Sequence, residues 1–154
     1  MTPRLLTYNR PATGLEAKFS MPFCAAAAIV YGDVGIGTFE IERVQAPPIR
    51  ALMPKVSMHA NPAFDAQPPL SQTRVTVRLR DGSVLAQSAD GARGYPARPA
   101  SDAQLAAKFS ACARRTLSAP VADRAWSTLT HIESIVDMST LADLLAPAVQ
   151  SEVS

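Results

Sequence analysis

The sequence predicts an α+β fold: a small antiparallel sheet, a buried alanine-rich helix ahead of it, and three helices behind it. Three observations carry this. An apolar run from Met21 to Tyr31 is bracketed by residues that start and stop helices. Residues 73–88 alternate apolar and polar about a central Asp81-Gly82. From Ser101 onward, apolar residues recur at helical spacing. Helices and strands do not alternate strictly along the chain, which indicates an antiparallel sheet with segregated helices rather than a parallel one.

Leu5 to Asn9 reads as a short extended piece that stops at Arg10-Pro11. Pro11 and Gly14 are turn residues, and Glu16 and Lys18 form a charged step. Ser20 can cap the free N–H groups of a helix that starts at Met21. Pro22 is tolerated in a first turn, where its missing N–H had no partner. Gly32 can take the left-handed conformation that closes the helix. Met21–Tyr31 has no polar face, and a helix apolar all round is expected to be buried on all sides. It is too short to span a bilayer.

Asp33 to Gly37 reads as a glycine-rich connector. Its spacing is not G-x-G-x-x-G and a helix precedes it, so it is no dinucleotide loop. Thr38 to Val44 alternates weakly (Phe39, Ile41, Val44) and predicts a strand or irregular edge. Pro47 and Pro48 start a short helix, Ile49 to Met53, which Pro54 ends or bends. Lys55 to Ala60 places Val56, Met58 and Ala60 on one face and predicts a strand. Asn61 to Ser71 carries three prolines and is a loop.

In 73–88, Val75, Val77 and Leu79 point one way, and Arg74, Thr76, Arg78 and Arg80 the other. Asp81-Gly82 is a preferred two-residue hairpin turn. That register would set Leu79 opposite Val84 and Val77 opposite Ala86, with the arginines either on the solvent side or on a surface that meets a partner domain or an anionic ligand. Gly91 to Ala100 is a loop. Ser101 and Gln104 form a capping box for a helix to about Leu117, with Leu105, Phe109, Cys112 and Thr116 on one stripe. A second helix starts near Ser118-Ala-Pro120 and carries Ala122, Trp126 and Leu129. Ser139 caps a third, with Leu141, Leu144 and Leu145. The organisation expected is 1–100 as an α+β unit, 101–147 as C-terminal helices and 148–154 as a tail.

Composition narrows the functional classes. The apolar fraction of 47% in 154 residues is enough for a core, although alanine supplies much of it. A formal net charge of +2 is too small to argue for nucleic acid. Cys24 and Cys112 are far apart and belong to no paired motif, which predicts two buried reduced thiols rather than a disulfide or zinc site. The stretch Met1–Asn9 lacks the apolar core of a signal peptide, so a cytoplasmic protein is expected, with no membrane span.

His59 and His131 stand apart from any second ligand at metal spacing, and no metal site is expected. No G-x-S-x-G nucleophile motif occurs. The residues contain no complete set of nucleophile, base and stabiliser, so no catalytic residue is assigned. One chemical feature stands out. The first turn of the Met21 helix favours an anion, and Lys18 and Ser20 lie within a few residues of it. These residues are either a cap beside a solvated lysine or a carboxylate or phosphate cradle.

The stretch Glu16-Ala-Lys-Phe-Ser-Met-Pro-Phe-Cys-Ala-Ala-Ala-Ala, followed by Gly32, strongly resembles a signature of the MmgE/PrpD family. Three further pieces match in order: Ile49-Arg-Ala-Leu-Met-Pro-Lys-Val56, Val75-Thr-Val-Arg-Leu-Arg-Asp-Gly82 and Gly94 to Phe109. The resemblance covers roughly residues 5 to 147 and is specific because four ordered blocks carry it. It implies the lid domain and last helices of a metal-free lyase or epimerase acting on a di- or tricarboxylate such as 2-methylcitrate, with no cofactor. Family members carry a large helical domain first, which supplies an Asp and His residues to the site, and a Lys-x-Tyr-Pro-x-Cys-x-x-x-His segment at the start of the lid. Neither matches anything here.

The resemblance carries Lys18 and Ser20 over as substrate-binding residues, and Tyr8 as the nearest match to a lid tyrosine that approaches substrate. Phe23 stands where many members have Tyr. Two readings follow: part of a polycarboxylate enzyme, inactive as this chain alone, or a non-enzymatic interaction module or separately encoded half. Partners expected are a small polycarboxylate, and a homodimer or helical partner domain, with no nucleic acid or membrane.

Overall fold

The computed structural model describes residues 6–64 and 72–146. The chain divides into two compact units, Met1–Gly91 and Ala92–Ser154. The first contains helices α1 (Gly14–Lys18), α2 (Met21–Tyr31), α3 (Ile41–Val44) and α4 (Pro47–Leu52), followed by strands β1 (Thr73–Arg78) and β2 (Val84–Ala89). The second contains α5 (Asp102–Ala113), α6 (Ala119–Leu129) and α7 (Ser139–Leu145). This is the α+β class that the sequence predicts. Among the described residues, no helix is long and apolar enough to cross a membrane.

Helix α2 has the expected ends. The Ser20 hydroxyl accepts the Phe23 N–H at 3.2 Å, and Gly32, at φ 74°, donates its N–H to the Ala28 carbonyl. Its burial is narrower than its composition suggests. Pro22, Phe23, Ala26 and Ala27 are buried, whereas Ala28, Ile29 and Val30 are exposed. An apolar surface is covered only where a neighbour exists to cover it, and here neighbours cover one face of the earlier turns and leave the last turn open.

That face is the core of the first unit. Phe23, Ala26 and Ala27 pack with Ala17 of α1, Val44 of α3, Ile49 of α4 and Met53. Burying a side chain such as Phe23 contributes about 1.5–3 kcal/mol. The alanines let the other helices approach α2 closely. Phe39 closes one side of this core, its ring centroid 5.8 Å from that of Phe23.

Helix α1 is an element that composition alone reads as a turn. Thr13 caps it by accepting the Glu16 N–H at 3.2 Å, and the Glu16 carboxylate accepts the Ala12 N–H at 2.6 Å. Gly14, its first residue, lies against the backbone of Phe39: a Cβ there would fall 2.1 Å from the Phe39 carbonyl oxygen.

Two predicted strands are corrected. Thr38–Val44 is not extended: a 3₁₀ turn at Ile36–Phe39 precedes α3. The Thr38 hydroxyl accepts the Gly35 N–H, and the Glu40 carbonyl accepts from both Arg43 and Val44, so local hydrogen bonds replace a ladder. Lys55–Ala60 is also not a strand. A 3₁₀ turn covers Met53–Lys55, and Val56–Ala60 follows without regular structure. Among the described residues its alternation has no partner strand to register against, and Met58 and Ala60 are exposed. Helix α4 starts at Pro47 itself rather than at Ile49. The loop expected at 61–71 holds a 3₁₀ turn, Pro62–Phe64; residues 65–71 lie outside the described residues.

The hairpin forms, with its register shifted by one. Val77 pairs with Leu85 and Arg78 with Val84. The reason is the loop. Gly82 donates to the Leu79 carbonyl at 3.1 Å, Leu79 donates to the Ser83 carbonyl at 2.9 Å, and Gly82 sits at φ 87°. This is a three-residue loop, Arg80–Gly82, with glycine in the left-handed position. Hydrogen bonds from the Ser83 hydroxyl and N–H to the Asp81 carboxylate reinforce it and hold that carboxyl below its ordinary pKa. The shift puts Val84 and Ala86 on the arginine face and Leu85 beside Val77. Neither face is covered: only Val77 among the strand residues is half-buried.

In the second unit, Ser101 and Gln104 form the predicted capping box of α5, with hydrogen bonds of 3.3 and 3.1 Å. That helix ends at Ala113, before the expected Leu117. Phe109 packs on Trp126 of α6 at 5.4 Å, and Arg114 pairs with Asp123 at 3.1 Å. The buried residues are Ala122 and Ala125 of α6 and Leu141 of α7. The cap of α7 is corrected: Ser139 is its first helical residue, and the Asp137 carboxylate accepts the Ser139 N–H at 2.9 Å. Of the α5 stripe, Leu105 remains 48% exposed.

Gly14→Ala tests the contact between α1 and Phe39. Alanine would otherwise favour a helix, but a backbone oxygen cannot move aside, so a loss of about 1–3 kcal/mol is expected in denaturant unfolding. A stabilised variant would contradict the close approach.

Candidate functional site

The backbone brings the three predicted binding residues to one place. The Tyr8 N–H donates to the Phe19 carbonyl at 3.3 Å, and Phe19 lies between Lys18 and Ser20. Their side chains are placed differently. Ser20 exposes no surface, and its hydroxyl is the α2 cap. Lys18 is exposed, with its ammonium 5.9 Å from the centre of the Phe39 ring. An exposed cation–π contact is worth only about 0.5–1 kcal/mol, so this ammonium is free to be drawn elsewhere. Tyr8 is 42% exposed.

A separate cleft of about 630 Å³ opens beside this cluster. Asn9 and Arg10 line it from the segment before α1, Pro22 from the start of α2, Arg50 from α4, and Met53, Pro54 and Val56 from the turn after it. Among the described residues, no carboxylate lines it. Arg50 is half-buried, and its guanidinium is held in place. Its Nε donates to Gln45 Oε1 at 3.1 Å, its Nη2 donates to the same oxygen, and Gln45 Nε2 donates to the Ala12 carbonyl at 2.9 Å. Arg10 is exposed and makes no hydrogen bond or ion pair with a described residue. Sequence reading missed both arginines. They lie forty positions apart, and only the packing of α4 against α2 brings them to one cleft.

A second cleft, in the helical unit between α6 and α7, is lined by Arg124, Ser127, Thr128, Thr140, Asp143 and Leu144. It holds both signs of charge, so it offers an anion no net advantage.

A profile of the MmgE/PrpD C-terminal domain matches residues 2–133. The chain belongs to the MmgE/PrpD family. It is similar to cis-aconitate decarboxylase of Mus musculus, with 28% identity over 158 residues, 99% of this chain and 32% of the relative. Similarity to cis-aconitate decarboxylase of Homo sapiens is 26% over 154 residues, with the same coverage. A third relative is the cis-aconitate decarboxylase-like protein oryM of Aspergillus oryzae, at 23% over 138 residues, 90% of this chain and 28% of that one. The chain therefore spans about a third of the length of these relatives.

Neither histidine and neither cysteine of this MmgE/PrpD segment is among the residues that line the two clefts. His59 is exposed in the irregular stretch after α4 rather than in a strand. His131 follows α6, and its Nδ1 lies 2.9 Å from the Ser127 carbonyl, which fixes the proton on that nitrogen. Among the described residues, no group of His, Cys, Asp or Glu could hold a metal ion. The expectation of two buried thiols is corrected for one of them. Cys24 is half-buried against the Ala17 carbonyl at 3.7 Å, and burial pushes its pKa up, whereas Cys112 on α5 is exposed.

A thiol-reactive disulfide reagent at neutral pH should therefore label Cys112 first, with Cys24 roughly tenfold slower and accelerating as pH rises past the ordinary thiol range. Peptide mass spectrometry reads the order; equal rates would contradict the burial of Cys24.

Proposed function

We propose that this chain is the lid and C-terminal portion of a lyase that acts on a small di- or tricarboxylate, decarboxylating it as the named relatives do with cis-aconitate or dehydrating it. The observation that carries this reading is the family match over most of the chain, together with decarboxylases as relatives aligned along 99% of it. In such a reaction either a carboxylate leaves as carbon dioxide and a proton replaces it, or a proton α to a carboxylate and a hydroxide leave. Both routes build negative charge beside the remaining carboxylates, and fixed cations and hydroxyls stabilise it best in a closed, dry site.

Lys18 and Tyr8 are the side chains here with the reach and exposure for that task, and Ser20 fixes the helix start between them. The proton-transfer groups belong to a helical domain, so this chain alone lacks catalytic residues. The same reading accounts for apolar side chains left open on α2, where Ile29 is 56% exposed. A helical partner, in the same polypeptide or separately encoded, would cover them.

Two assays test this. The 154-residue chain alone should not turn over cis-aconitate or 2-methylcitrate, and robust turnover by it would contradict the reading. Joined to the N-terminal two-thirds of the mouse relative, it should release carbon dioxide from cis-aconitate. Lys18→Gln should then lower kcat/KM by about tenfold, the loss expected for one charge-assisted hydrogen bond.

A further inference from the structure

We propose that the cleft between Arg10 and Arg50 is an anion-binding site, and that its ligand is a small polycarboxylate with a short carbon skeleton. The choice of polycarboxylate rests on the function proposed above; the anion site rests on the cleft alone.

Three features argue for it. Two arginines line the cleft, and among the described residues no carboxylate does. Arg10 has no acidic partner among the described residues. Arg50 is aimed: Gln45 takes its Nε and one Nη2 hydrogen and is itself anchored to Ala12, which leaves the Nη1 donors for a ligand. A half-buried guanidinium fixed by a neutral amide keeps its full charge and loses little freedom when it binds, which favours a bidentate carboxylate.

The rest of the lining sets the ligand class. The apolar part of the lining, its floor, is Pro22, Met53, Pro54 and Val56, and Asn9 adds one polar residue. The volume of about 630 Å³ lies in the range of small-molecule sites. A carbon skeleton can rest on that floor while two acid groups meet Arg10 and Arg50. Inorganic phosphate satisfies the guanidiniums but leaves the floor uncovered.

Isothermal titration of the whole chain with citrate, trimethyl citrate and inorganic phosphate tests this. Citrate should bind more tightly than phosphate, weaken as salt rises, and be lost on esterification. Arg10→Gln and Arg50→Gln should each weaken citrate by about tenfold or more, the loss of one charge-assisted pair. Arg74→Gln, on the exposed strand β1 and outside the cleft lining, should change it by less than about twofold. Arg10 is exposed and outside any helix, so its variant decides the matter even if Arg50→Gln disturbs α4.

No citrate binding by the parent chain overturns the proposal, as does binding indifferent to both arginines. Phosphate binding as tight as citrate overturns the ligand class. An equal loss in Arg74→Gln would be a general effect of removing positive charge and overturns the site. Turnover assays are independent: inactivity of the joined enzyme would sink the functional reading while leaving a citrate titration intact.

Discussion

Helix α2 can bury only one face, and the first unit follows from which one. Phe23, Ala26 and Ala27 turn inward, and α1, α3 and α4 close on them through Ala17, Val44 and Ile49. Alanine at those contacts removes the side chain that would otherwise hold the helices apart. The last turn of α2, Ala28 to Val30, stays open. Apolar surface with nothing packed on it carries an unmet driving force for association. A segment a third the length of its relatives is expected to leave such surface.

The same packing arranges the chemistry. Since α4 seats Ile49 against α2, the next residue, Arg50, reaches the cleft that begins at Pro22. Because Gln45 ties Arg50 to Ala12, the segment carrying Asn9 and Arg10 is held to the same wall. Tyr8 is bonded to Phe19, so it cannot drift from Lys18. Two cationic features thus flank one helix start without sharing a side chain. The hairpin contributes nothing to this core. An uncovered two-stranded ribbon is marginal by itself, and its stability depends on its turn and cross-strand pairs.

What was legible in the sequence was local. Ser20, Gly32, Ser101 and Gln104 announce helix ends because their hydrogen bonds reach no further than four residues. The hairpin was legible as a hairpin, but not its register: Asp81-Gly82 suits a two-residue turn and a three-residue loop about equally, and one residue reverses the faces. Lys55–Ala60 misled because alternation identifies a strand only where another strand pairs with it. Lys18 and Ser20 were legible as candidates from the helix start, and Tyr8 as one through family resemblance. The Arg10–Arg50 cleft was not: Arg50 lies inside a block that resembles the family, but nothing local pairs it with Arg10, forty positions away. How much of α2 would be buried was equally hidden, because burial depends on what lies opposite and not on the helix.

Amide hydrogen exchange on the whole chain tests the central claim most directly. If the buried face of α2 holds the first unit together, the amides of Ala26 to Ala28 should be its slowest, and those of β1 and β2 faster by about a hundredfold or more. Hairpin amides as slow as those of α2 would contradict the account, because an uncovered ribbon would then be part of a core the present packing does not contain.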